Sequence, residues 1–115
     1  MPDRLAGFDP LLLLAVAALV SLAALVAVLR RARRRRLPRR WTRHIEQRMR
    51  QRRIARADVE RVVANPARVT RDRDERSVRL DGRVGGRPLK VWVAEPWPPR
   101  REIVLKSAAW GDVDG

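Results

Sequence analysis

The sequence predicts an α+β chain: one N-terminal transmembrane helix, then a small domain of two helices packed on a three- or four-stranded antiparallel meander. Three observations carry this reading. An uncharged apolar run extends from Leu11 to Leu29; Trp41, Ile45 and Met49 recur at four-residue spacing; and Val78 and Leu80, then Leu89, Val91 and Val93, alternate with period two. A chain of 115 residues has room for one domain and an appendage.

The apolar run LLLLAVAALVSLAALVAVL holds a single hydroxyl, Ser21. At 1.5 Å per residue it is about 29 Å long as a helix, the thickness of a bilayer's hydrocarbon core. Asp9 followed by Pro10 makes a helix start, with a carboxylate to accept an orphan amide and a proline at the first helical position. A cleaved signal peptide places its positive charge before the apolar run, and here the order is reversed. Ala17 with Ser21 and Ala23 with Ala27 leave self-association of the helix open.

Eight arginines lie between Arg30 and Arg40, against one arginine and two aspartates in the first nine residues. Arginine-rich flanks stay on the cytoplasmic side. The expected layout is a short external tail over 1–9, a membrane helix over 10–29 and an arginine-rich juxtamembrane segment over 30–40. A cytoplasmic domain over 41–110 and a tail over 111–115 complete it. Arg30, Arg31, Arg33, Arg34, Arg35 and Arg36 form the anchor flank and face anionic lipid headgroups. The expected location is the inner membrane, crossed once, amino terminus out.

In the domain, Thr42 is suited to cap a first helix that runs to about Arg52. Val59, Val62 and Val63 mark a second, with Asp58 and Glu60 in its electropositive first turn and Asn65-Pro66 at its end. A short strand near Arg68–Thr70 is allowed by the pattern. Gly85-Gly86 reads as a two-residue hairpin turn, and Ile103 and Leu105 continue the alternation to Trp110. Pro96-Trp97-Pro98-Pro99 is a stiff loop, read as a lid over the small core in preference to a docking loop for a partner.

Composition excludes several functions. There is no cysteine and one histidine, so neither a disulfide framework nor a zinc site is expected, and no cofactor. Residues 41–115 hold 18 basic and 11 acidic side chains, a net of +7, so the domain is basic without the arginine block. No phosphate-cradling glycine loop, paired carboxylates or nucleophile motif is present.

The string HIEQRMRQRRI over 44–54, Asp58-Val59-Glu60, Asn65-Pro66 and DGRVGGRPLKVWV over 81–93 together resemble the bacterial DUF4258 family, across nearly all of 41–110. The resemblance implies a distant relation to the RelE/ParE-like toxin fold. Where the family commonly has glycine, isoleucine and serine between its helices, this chain has Arg53, Ile54 and Ala55. Both departures predict a cost, since glycine allows a left-handed turn and serine caps the following helix.

His44, Arg48 and Arg52 share one helical face. His44 and Arg48 are the candidates for acid–base and phosphate-bracing roles in RNA hydrolysis, against a structural reading in which His44 satisfies a backbone carbonyl at the edge of the core. Arg48, Arg52, Arg83, Arg87 and Lys90, with Trp92 for base stacking, are the candidate binding residues, against the plain reading of a solvated sheet face. The sequence thus predicts a binding or interaction module with an RNA or protein partner. The alternative is a membrane-tethered, toxin-like RNA-cleaving or ribosome-binding domain.

Overall fold

The computed structural model describes residues 9–111; of the expected tails over 1–9 and 111–115, all but Asp9 and Gly111 lie outside the described residues. The chain divides into two compact units, one ending at Arg33 and the other beginning at Arg34.

Helix α1 spans Pro10–Arg36. The Asp9 carboxylate accepts from the Leu11 amide at 2.9 Å, and the Asp9 carbonyl accepts from Leu13, so the start is capped as the Asp-Pro pair predicts. No residue of α1 is buried, and it is long and apolar enough to cross a membrane. The helix does not end with its apolar residues at Leu29. Arginine is a good helix former, and propagation stops only before Pro38.

The second unit contains strand β1 (Arg39–Trp41), helices α2 (Arg43–Arg52) and α3 (Arg56–Ala64), and strands β2 (Arg68–Asp72), β3 (Ser77–Val84), β4 (Arg87–Ala94) and β5 (Ile103–Trp110). The sheet order is β1-β5-β4-β3-β2. The expected antiparallel meander of three or four strands is corrected: the sheet has five strands and is mixed, because β1 pairs parallel to β5. A parallel pair needs a long crossover connection, and here the rest of the domain, from α2 to β4, supplies it.

Thr42 caps α2 through its hydroxyl, which accepts from the Ile45 amide at 3.2 Å. Arg53 ends α2 in the left-handed region, φ 54° and ψ 52°, and Ala55 starts α3 with no side-chain cap. Where the resemblance implies glycine and serine, this chain thus has a left-handed arginine and an uncapped helix start. At the β3–β4 turn, Gly85 and Gly86 both have positive φ, as a two-residue hairpin of matching twist requires.

The core lies between the two helices and one sheet face. Ile45, Met49, Ile54, Val59, Val62 and Val63 pack on Val78, Leu80, Leu89, Val91, Val93, Ile103, Leu105 and Ala108. Its centre is aliphatic, and Trp41, Trp97 and Trp110 close its perimeter. Trp97 is therefore part of the lid expected of the proline-rich loop, and Arg71 fixes that loop by donating to the Trp97 carbonyl at 2.8 Å.

Residues 34–41 are fastened to the domain by two arginines. Arg34 donates to the Ala64 carbonyl at 3.1 Å and lies over the Trp97 ring. Arg39 sits with its Nε 3.1 Å from both Glu60 oxygens and donates to the Arg34 and Leu37 carbonyls. Arg34, one of the expected anchor flank, is tied to α3 and the proline-rich loop.

Candidate functional site

Past the end of β1, the edge of β5 is covered by α2 rather than by another strand. The Thr42 amide and hydroxyl donate to the Leu105 carbonyl at 3.3 and 2.8 Å. Arg52 donates to the Ala108 carbonyl at 2.7 Å, and the Trp110 indole N–H donates back to the Arg52 carbonyl at 2.8 Å. These bonds satisfy a strand edge that would otherwise be bare. They also set the roll of α2: Ile45 and Met49 enter the core, and His44, Arg48 and Arg52 stand over the opposite, outer face of the sheet.

The result is an open cleft of about 570 Å³. One wall is His44, Arg48 and Arg52; the floor is Trp92, Ser107 and Ala109; the far wall is Asp72, Glu75 and Ser77, where β2 turns into β3. His44 is exposed, and its Nε2 accepts a long bond of 3.5 Å from Arg48 Nε. The structural reading, in which His44 meets a backbone carbonyl beside the core, is not what the geometry shows. Arg48 also donates to Gln51 at 3.2 Å, which orients the guanidinium along the wall.

Lys106 enters the cleft through a bulge. Trp92 pairs with Ser107 but Val93 pairs with Leu105, so Lys106 is the extra residue in β5. Its ammonium donates to Ser77 Oγ at 2.5 Å and to the Glu75 carbonyl at 3.0 Å, which explains how Ser77 is buried without loss. The cleft is polarised as a result. Cations line the α2 wall, carboxylates line the β2–β3 turn, and Lys106 lies between them.

Among the described residues, three of the four tryptophans carry a stacked arginine: Arg56 over Trp41 at 4.7 Å, Arg34 over Trp97 at 5.6 Å and Arg87 over Trp110 at 4.3 Å. Trp92 carries none. It is half-buried in the cleft floor, with Arg79 and Ser107 as its cross-strand partners.

The structure brings His44, Arg48, Arg52 and Trp92 together and separates the other candidates from them. Arg83 and Lys90 line a second cleft at the opposite end of the outer sheet face, with Arg68 and Arg79. Arg87 lies on neither, since it stacks on Trp110 on the helix-bearing face. Sequence reasoning missed Lys106, Ser77, Asp72 and Glu75. The signal for Lys106 was the change of phase in β5, from Ile103 and Leu105 to Ala108 and Trp110, which a bulge produces. Among the described residues no three His, Cys, Asp or Glu side chains converge as metal ligands.

The α+β domain is that of a family defined by sequence, and residues 41–108 match it: the chain belongs to the DUF4258 family, a domain of unknown function. No curated protein and no solved structure matches the chain.

Proposed function

We propose that the chain is a single-pass inner-membrane protein, amino terminus outside, whose domain binds single-stranded RNA in the cleft between α2 and the outer sheet face. The observation that carries this reading is Trp92, an indole with no stacked cation at the foot of a wall of three cationic or ionisable side chains. Stacking of a base on an aromatic ring contributes about 1–3 kcal/mol and leaves the phosphates free to meet arginines. The phosphate backbone runs along His44, Arg48 and Arg52. The base lies on Trp92 with its polar edge toward Asp72 and Glu75, which accept hydrogen bonds from exocyclic amines.

Membrane insertion rests on α1: its length, its exposed leucines and valines, and arginines at one end only. The link over residues 34–41 is held to the domain by Arg34 and Arg39, and the charge of Arg30, Arg31, Arg33, Arg35 and Arg36 supplies the lipid-facing flank.

The test uses the full chain in nanodiscs and a fluorescein-labelled oligoadenylate followed by anisotropy. Trp92→Leu and Arg48→Gln should each weaken binding about tenfold, the equivalent of about 1.4 kcal/mol. Unchanged affinity in both variants would mean that the arginine block alone holds the RNA, and the reading would be lost.

A second reading has one observation in its favour: the only histidine shares the cleft wall with Arg48. A toxin-like RNA-cleaving domain would use such a pair as acid or base and phosphate brace. It differs from the first in one measurable respect, the appearance of cut RNA.

A further inference from the structure

We infer that the RNA track does not end at Trp92 but crosses the outer sheet face into the second cleft, so that one chain holds a strand spanning both. This rests on the binding reading above and adds a second phosphate site to it. The strand register carries it. Trp92 lies opposite Arg79, and Ala109 lies opposite Lys90. Trp92 and Ala109 belong to the first cleft; Arg79 and Lys90 belong to the second. Directly paired residues share a face, and successive rows on that face are only about 7 Å apart. On β5 the residue at their junction is Ala109, whose methyl group raises no wall between the two clefts.

Two cations of the second cleft, Arg68 and Lys90, are available for a ligand. Arg79 is offset by Asp81, whose carboxylate lies 3.2 Å away. Arg83 gives one N–H to the Gly86 carbonyl at 3.2 Å. Arg68 is exposed on the edge strand and Lys90 is half-buried beside it across β3, through the row Arg68–Asp81–Lys90. No hydrogen bond or ion pair engages either side chain among the described residues. A cationic wall at one end of the face, unengaged cations at the other and a stacking ring between them match a single strand with spaced phosphates. A duplex, whose bases are paired and stacked internally, has no use for the indole.

The experiment compares a labelled oligoadenylate dinucleotide with an octanucleotide on the full chain in nanodiscs. Arg68→Gln with Lys90→Gln should weaken the octanucleotide about tenfold and leave the dinucleotide within about twofold; removing two phosphate contacts should also flatten the log–log salt slope by about 1.4. Arg68→Gln alone, at a fully surface position, should give part of the same length-dependent loss and guards against misfolding of the double variant. An octanucleotide indifferent to both variants, or equal losses at both lengths, overturns the second site. If Trp92→Leu weakens both lengths while the Arg68 and Lys90 variants do nothing, only the extended track falls. If Trp92→Leu has no effect at either length, the binding reading falls and the track with it. Polyglutamate that competes as well as the octanucleotide overturns both in favour of an acidic peptide.

Discussion

Val62 of α3 packs onto Gly82 of β3 so closely that a Cβ on Gly82 would lie 2.8 Å from Val62 Cγ2. The valine is 2% exposed and has nowhere to retreat. Gly82 is needed here for close approach of helix and strand, with no demand on its backbone angles. Gly82→Ala should destabilise the domain by about 1–3 kcal/mol, the usual cost of overpacking, measured by thermal or denaturant unfolding. Val62→Ala in the same chain should make the double variant cost less than the sum of the two single changes. Full additivity would show that the contact does not limit the approach.

Arg53 and Ala55 lie on either side of Ile54, where α2 gives way to α3. Arg53 holds a left-handed conformation that glycine adopts freely, and Ala55 leaves the first amides of α3 without a side-chain acceptor. Arg53→Gly and Ala55→Ser should each stabilise the domain by about 1 kcal/mol, through relief of the left-handed cost and through a new cap respectively. Both are read from the midpoint of unfolding. A loss of stability in either would mean that the arginine side chain or the bare helix start contributes something the backbone geometry does not show.

These two positions also show what the sequence could and could not reveal. Spacing identified α2, α3 and the β3–β4 hairpin because each is specified locally, by an apolar face or by two glycines that permit positive φ. Strand β1 was not legible. Arg39-Arg40-Trp41 has no alternation, and it is a strand only because β5, more than sixty positions away, offers a free edge. The same distance hid the site. His44, Arg48 and Arg52 could be placed on one helix face from their spacing, but which way that face points is set by bonds from Thr42 and Arg52 to β5. Trp92 could be placed beside Lys90 on one side of a strand, but its lack of a stacked arginine is a fact of tertiary packing.

The exposure of His44 changes the expected outcome of removing it. A histidine bonded beside the core would lower the melting temperature when lost; among the described residues this one has a single long bond, to Arg48. His44→Ala should therefore change stability by no more than about 0.5 kcal/mol. Against RNA, the wild-type chain should show either no cutting, as the binding reading expects, or cutting that falls about 100-fold in His44→Ala at unchanged affinity, as the second reading expects. A large drop in melting temperature would contradict the exposed placement of the imidazole and both readings of the cleft wall.

The proposed membrane orientation turns on the arginines at the carboxyl end of the apolar run. Arg34 is engaged with the Ala64 carbonyl and the Trp97 ring, so it belongs to the domain's own structure. In the proposed topology the charge of Arg30, Arg31, Arg33, Arg35 and Arg36 resists transfer across the bilayer, whereas the sequence before the apolar run offers no comparable charge. A reporter active only in the cytoplasm, fused after Gly115, should be active, and one active only outside should be silent. Changing those five arginines to glutamine while keeping Arg34 should yield a mixture of orientations, with the domain still folded because its fastening to residues 34–41 is intact. Activity of the external reporter in the unaltered chain would reverse the assigned topology. It would also remove the domain from cytoplasmic RNA, and with that the partner proposed for its cleft.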